Sequence, residues 1–554
     1  MLITSDDELE VAMKRCEDAR GLLENALKTY MDSCVSLESN ICLRRGHKAS
    51  TDIVSRIDSV LGYLQNTVIE QLTQCRSTVS RIRNKLASSI RYLPEEIMED
   101  VFFHVIYSPD NYSLPMPKCV RSMYSELRNI MLVCSTWRAL AISQSILWEI
   151  IPIFGKSSNI RAIDINLPRA GSRGVRLATV VPWGGIAPHL VDKITQHIHR
   201  FRAISVEAED HDDMFDFIRR LVHGGSPTRL SELSIRYSKS KESNIVLPES
   251  VYGIGFDKWI QSLSVLLLDR IQMPWQNALF SDRLVELAVH RVRLDNSESS
   301  MTTFIAAISS ATRLRDLSIA GVEVYEQSTK AFNLATPPMS LFPNLQHLSL
   351  LDLRCNVLES LLYKIKPGSY HLTLVLTDNA VQIMTEEDPE MFVIVDRLAL
   401  LLSRTRVNTL VFVRGHSTLG PWLEGSELRM LLKSASGLEE LGIHGWRFDE
   451  PFCLGLIPPS NPTTESNTTV FPSLNKLYLT DLKILDVERF KHILSSVSSR
   501  SIVIWGGSRA GELSMGALHV NEEFKDWLTC NVPAARLVSS GVYPDAMKVK
   551  EWTY

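Results

Sequence analysis

Phe342-Pro343-Asn344-Leu345-Gln346-His347-Leu348-Ser349-Leu350 decides the fold, because Phe471-Pro472-Ser473-Leu474-Asn475-Lys476-Leu477-Tyr478-Leu479 repeats it. Both enter through Phe-Pro and then place apolar residues in the order apolar-x-x-apolar-x-apolar. The signature recurs at Phe201/Ile204/Val206, Leu230/Leu233/Ile235, Leu263/Leu266/Leu268, Leu284/Leu287/Val289 and Leu314/Leu317/Ile319. Val407/Leu410/Phe412 and Leu438/Leu441/Ile443 continue it, a weaker copy lies at Leu374/Leu376, and Ile502/Ile504 end the series. Successive copies stand roughly 21 to 36 residues apart. Apolar pairs follow eight and ten residues after the first anchor: Ile271/Met273, Val292/Leu294, Val322/Val324, Leu353/Cys355, Trp446/Phe448 and Leu482/Ile484.

The spacing predicts a short strand per copy, with its anchors turned into a shared core. A helix or loop such as 300–310 or 486–497 returns the chain to the next strand. No unit buries its apolar face alone, so neighbours must stack. The array resembles an irregular leucine-rich repeat, because the eighth-offset position holds an aliphatic residue or Trp where the regular repeat has Asn or Cys. An ordinary α/β domain with Leu-rich strands is the plainer reading, and the repeated Phe-Pro entry argues against it. Residues 162–165 and 175–181 read as early strands that could cap the array. Ser-, Thr- and Pro-rich insertions are expected at 325–343 and 451–472, and an irregular cap at 511–554.

Ahead of the repeats, 93–148 reads as three short helices. Pro94 suits a first helical position, Glu95, Glu96 and Glu99 suit the positive end of a helix dipole, and Ile97, Val101 and Val105 recur at helical spacing beside Phe102. Leu127, Ile130, Met131 and Val133 mark a second helix. Ser135 or Thr136 can cap a third, which carries Trp137, Leu140 and Ala141. Such a trio has little core of its own.

Leu93-Pro94-x-Glu96-Ile97, then Val133-Cys134-x-x-Trp137-Arg138-x-Leu140-Ala141, then Leu147-Trp148, in that order, resemble the F-box family. The resemblance covers about a tenth of the chain and departs from the family in an insertion from Tyr107 to about Val120. It implies a non-catalytic substrate receptor of a Skp–cullin–F-box ubiquitin ligase. Leu93, Pro94, Ile97, Val101, Phe102, Val133, Cys134, Trp137 and Leu140 would form or support the face that meets a Skp-type adaptor, and through it a cullin and a RING subunit. An unknown protein substrate would then meet the strand face of the array. There the residues alternating with the anchors are Arg236, Glu286, His290, Asp316, His347, Glu440, His444, Lys476 and Tyr478. The alternative is a repeat scaffold for protein interaction with no ligase link.

The N-terminal stretch supplies a third part. Leu9, Met13, Cys16, Leu23, Leu27, Tyr30, Cys34, Leu37 and Ile41 step by threes and fours, with a polar gap near Arg20. After Arg44-Arg45-Gly46-His47, a second run from Val54 to Leu86 does the same, with a drift between Leu64 and Leu72 that reads as a stutter. The two runs predict an antiparallel helical hairpin, or alternatively an intermolecular coiled coil. The expected organisation is thus 5–90 helical hairpin or coiled coil, 91–148 F-box-like helices, and 149–554 leucine-rich-repeat-like α/β solenoid.

Composition agrees with a globular chain: 554 residues, net charge −4, 45% apolar and 22% charged. That balance, with no basic stripe, argues against nucleic acid as the main partner. No apolar run is long enough to span a bilayer, and the acidic start lacks the features of a signal peptide. Nine scattered cysteines, with no Cys-x-x-Cys spacing, suit reduced thiols and a cytoplasmic or nuclear setting. The sequons at Asn111 and Asn467 then read as chance matches.

No nucleotide loop, zinc-protease or nucleophile-elbow motif is present. Gly506-Gly507-Ser508 reads as a turn. His197 and His199 near Glu207, Glu209, Asp210, His211, Asp212 and Asp213 supply ligand types, but the acidic run reads better as a solvated helix start. The expectation is a chain with no cofactor, no metal and no catalytic residue.

Overall fold

The structure is a computed structural model. It describes residues 5–43, 51–87, 93–108, 114–155, 160–225, 227–239, 245–294, 300–325, 342–365, 368, 370–385, 391–415, 421–435, 437–457, 472–497, 499–505 and 522–537. Two compact units result, Met1–Pro94 and Glu95–Tyr554. The helical trio and the repeats, expected as separate domains, fall in one unit. Both sequons and Gly506–Ser508 lie outside the described residues, as do most of the two polar insertions. The start of the second insertion is a helix, Glu450–Leu456. No helix of the described residues is long and apolar enough to cross a membrane.

In the first unit, α1 spans Ser5–Leu43, α2 Thr51–Tyr63 and α3 Ile69–Ala87. A π-turn over Leu64–Val68 joins α2 to α3. It sits where the repeat drifts: Ile57 to Leu64 is seven residues, Leu64 to Leu72 is eight, and Leu72, Val79 and Leu86 return to sevens. A π-turn takes up one extra residue, so it absorbs the slip. The apolar residues of the expected hairpin or coiled coil are exposed within this unit. Leu9, Met13, Leu23, Leu27, Tyr30, Leu37 and Ile41 on α1, and Val54, Leu61, Leu72, Val79 and Ile82 on the following helices, are all exposed.

In the second unit, α4 (Glu95–Ile106), α5 (Met116–Val133) and α6 (Ser135–Ser143) precede a 3-10 turn at Ser145–Trp148. Helix α5 begins at Met116, inside the stretch expected to be an insertion. The first half of that stretch, 109–113, is outside the described residues. A parallel sheet of fourteen strands follows, in strict chain order. These are β1 (Ile150–Phe154), β2 (Val175–Val181), β3 (Phe201–Ala208), β4 (Glu232–Tyr237), β5 (Val265–Asp269), β6 (Glu286–His290) and β7 (Asp316–Ala320). Next come β8 (His347–Leu351), β9 (His371–Leu376), β10 (Thr409–Val413), β11 (Glu440–His444), β12 (Leu474–Thr480), β13 (Ser499–Trp505) and β14 (Ala535–Leu537). Strands that pair only with their sequence neighbours, each after a return segment, make a solenoid of the leucine-rich-repeat kind. Residues 162–165 are not a strand. They lie in the helix Ile160–Arg169, which buries Ile163 and Leu167 at helical spacing.

The recurring turn explains why the repeat does without its usual Asn. Seven residues after the first anchor stand Arg270, Arg291, Gly321, Asp352, Gly445 and Asp481, all at positive φ between 52° and 73°. That left-handed residue turns the chain out of the strand. Its N–H also extends the ladder: Arg270 donates to His290 O (2.8 Å), Gly321 to Leu351 O (2.9 Å), Asp352 to Val375 O (2.8 Å) and Gly445 to Thr480 O (2.9 Å). With the backbone satisfied this way, the next position is free to be aliphatic or Trp and to point inward. The second apolar register forms a short parallel row of its own: Ile271–Gln272 pairs with Ile245–Val246, and Arg447–Phe448 with Lys483–Ile484.

Return helices close the core. Ser300–Ser309 buries Met301, Phe304, Ile305 and Ile308. Asp486 caps Val487–Ser495 by accepting from Arg489 N at 3.0 Å, and Phe490, Ile493 and Leu494 pack inward. One buried cluster runs from Met98 in α4 to Val532. The trio therefore borrows the core it lacks: Tyr124 OH donates to Ile150 O at 2.6 Å, and the Arg169 guanidinium lies 4.1 Å from the Trp148 ring centroid.

Candidate protein-docking site

Helix α4 divides its apolar residues between two faces. Met98, Phe102 and Ile106 are buried, while Ile97, Val101 and Val105 are 46%, 40% and 43% exposed. Each set follows the helical repeat, so the split is one stripe in and one stripe out. Leu132 and Val133 end α5 at 62% and 53% exposed, and Ile142 on α6 is exposed too. Leu93 and Pro94, at the end of the first unit, are exposed.

The trio is held by specific contacts beneath these residues. The rings of Phe102 and Trp137 lie 5.1 Å apart, centroid to centroid. Cys134, not Ser135 or Thr136, caps α6: its Sγ accepts from Trp137 N at 3.4 Å. Arg138 Nε donates to Met131 O at 3.0 Å, and Trp148 Nε1 to Ala141 O at 2.8 Å. Among the nine motif residues, Leu93, Pro94, Ile97, Val101 and Val133 are open to contact. Cys134, Trp137 and Leu140 are half-buried, and Phe102 lies wholly inside.

The strand face gathers its candidates into two groups. Register places Glu286, Asp316 and His347 side by side across β6, β7 and β8, with His371 next. His347 Nδ1 lies 2.6 Å from Asp316 Oδ1, and both side chains are well exposed. His371 was not among the expected residues, because its strand carries the weak copy of the signature. Its Nε2 lies 3.0 Å from Thr409 Oγ1. The second group is Glu440 beside Lys476, paired at 2.8 Å, with His444 Nδ1 3.0 Å from Thr480 Oγ1 and Tyr478 half-buried.

Two expected residues are committed elsewhere. His290 is only 3% exposed, and its Nε2 lies 3.1 Å from Ser318 Oγ. Burial, aided by the Arg291 and Arg236 cations against the pull of Asp269, holds its pKa down at about 4. The ring is neutral near pH 7 and takes no part in a surface. Arg236 Nε lies 3.4 Å from the buried Asp269 carboxylate, which Arg291 also holds through Nε at 2.8 Å. The residue missed here is Asp269, the anion that organises those cations from the end of β5.

Four residues beyond Asp316, His347 and His371 on the same strands stand Ala320, Leu351 and Val375; with Val411 they are register neighbours and form a separate buried cluster with Val413. They alternate along the strands with core residues such as Ile319, Leu350 and Leu374, so they lie on the opposite sheet face. That face is therefore apolar and buried toward the C-terminal ends of β7, β8 and β9, and charged at their N-terminal ends. The acidic run at 209–213 is a helix start: Asp210 accepts from Asp213 N at 3.0 Å and caps His211–His223.

The sequence matches no protein-family model, and no curated protein matches it. Among solved structures, it is similar to the Rad7–Elc1 complex of yeast, with TM-score 0.33 and 10% identity over 89% of this chain and 98% of that one. It is also similar to the leucine-rich-repeat protein LIC12759 of Leptospira interrogans, with TM-score 0.26 and 12% identity over 63% and 82%. The mouse RP105/MD-1 complex gives TM-score 0.26 and 13% identity over 56% and 50%. Likenesses this distant carry no argument about function, which rests on the residues of this chain.

Proposed function

We propose that this chain is a non-catalytic substrate receptor of a Skp–cullin–F-box ubiquitin ligase. The observation that carries the reading is the outward stripe Ile97, Val101 and Val105 on α4, the helix that follows the Leu93-Pro94 entry of the motif in the sequence. Three β-branched residues at successive helical turns, facing water over a filled core, have no use in holding this fold. A covering subunit gives them one. Leu132, Val133 and Ile142 extend the apolar surface on the other two helices of the trio.

In this reading the chain does no chemistry. It holds a protein substrate on the strand face, at Asp316 with His347 and at Glu440 with Lys476, His444 and Tyr478. The ligase gains local concentration and orientation of the acceptor lysine. The experiment is co-purification of the full chain with a Skp-type adaptor, wild type against a Leu93→Ala, Pro94→Ala double variant. Robust capture of wild type and loss in the variant are expected. Equal and weak capture of both would leave a repeat scaffold with no ligase link.

A further inference from the structure

Helix α1 carries an apolar seam whose described residues are exposed, and its repeat identifies the occupant. Leu9, Cys16, Leu23, Tyr30 and Leu37 recur every seven residues on α1, as do Met13, Arg20, Leu27, Cys34 and Ile41. The two series interleave in steps of four and three without a break, which is the seam of a left-handed coiled coil. The seven large apolar members are each 39–56% exposed.

The rest of the unit does not match this seam. Helices α2 and α3 carry the one-residue insertion taken up by the π-turn at Leu64–Val68, so their apolar line changes phase midway. A helix with an uninterrupted seven-residue repeat stays in register along its whole length only with another such helix. We propose that α1 pairs with α1 of a second copy of this chain, in parallel, as a two-stranded coiled coil.

The flanks set the direction. One side of the seam carries Glu10, Glu17, Glu24, Met31 and Glu38, and the other carries Ala12, Ala19, Ala26, Ser33 and Asn40. In a parallel pair each flank meets the opposite flank of the partner, so the glutamates face small neutral residues. An antiparallel α1 pair would set glutamate against glutamate along the seam, which is unfavourable. Arg20 is the one charged seam residue. Its long stem stays in the seam while the guanidinium reaches water, and such a position fixes register at a cost in stability. The seven large side chains each offer on the order of 80 Å², so the pair removes roughly 1,100 Å² from water, just under the lower end of stable interfaces.

The experiment uses the full chain. Light scattering after gel filtration is expected to give the mass of a dimer, and Leu23→Asp with Leu27→Asp to give a monomer, its dimer dissociation constant raised at least 100-fold. The thermal unfolding of the repeat unit should be the same in both, which shows that the variant is folded. Direction is read from a Cys16→Ser, Cys42→Ser, Cys75→Ser variant, in which Cys34 is the only cysteine left in the first unit. Mild oxidation should link it into a covalent dimer, and adding Cys34→Ser should abolish that link. A monomer at all concentrations, as for an α1 folded back on α2 and α3, overturns the proposal. So does a dimer that Cys34 does not link.

Discussion

Replacing Ile97 and Val101 together by Ala tests the docking face without touching the core. Both side chains lie on the outward stripe of α4, at 46% and 40% exposure. The atoms beyond Cβ that truncation removes amount to roughly 100 Å² of exposed apolar surface in the pair. At about 25 cal/mol/Å² that is ~2.5 kcal/mol if the adaptor buries it fully. The dissociation constant should rise about 60-fold. Titration calorimetry of the full chain with a Skp-type adaptor measures it directly. Neither residue fills the core, so thermal unfolding should shift by no more than the ~0.5 kcal/mol typical of surface changes. Binding within threefold of wild type, in a variant that melts normally, would show that the stripe is not the contact surface.

Phe102→Ala is the buried counterpart: losing the ring packed on Trp137 should cost about 3–5 kcal/mol of stability. Calorimetric unfolding measures that loss, and any binding defect would follow from misfolding. His290 predicts a pH effect: held at about 4 when folded and near 6.5 when unfolded, it favours the unfolded state as pH falls between those values. Stability is full above about pH 6.5 and declines toward pH 4, by on the order of 3 kcal/mol from this residue. Denaturant titrations across that range should show a flatter slope for His290→Gln. A Cβ on Gly425 would lie 2.0 Å from Phe452 O and 2.6 Å from Leu456 N, both backbone atoms. Gly425→Ala should therefore force two helices apart and cost about 3 kcal/mol or more, seen as a lowered midpoint in urea.

The strands were legible because their signature is a spacing of apolar anchors, and spacing survives drift in identity. The turn was not legible. Arg270, Asp352 and Gly445 share a left-handed backbone and a ladder N–H, yet have no side-chain chemistry in common that a reader could collect. Residues 162–165 misread as a strand because Ile163 and Ile165 alternate over four positions. Only Leu167 at the next helical step breaks the tie. The site was legible to the same degree. Motif order marked the trio, but the buried state of Phe102 and the exposed state of Val101 are set by rotation about one helix. His290 sits at a position that alternates with the core and should face water. Asp269 on the neighbouring strand draws Arg236 and Arg291 around it, and that group encloses the ring.

The trio and the array share one core, which bears on the proposed mechanism. A receptor must hold its adaptor face and its substrate face in fixed relation, because a floppy linkage spreads the substrate over a larger volume and dilutes it. Here no linker intervenes. Trp148 ends the trio within two residues of β1, Tyr124 of α5 bonds the backbone of that strand, and Asn166 Nδ2 donates to the same Ile150 carbonyl at 2.7 Å. The strand ladder then carries the geometry from one repeat to the next through the N–H of each turn. A helical trio too small to stand alone thus gains its stability from the repeats. The same contacts place the outward stripe of α4 and the strand face on one continuous buried core.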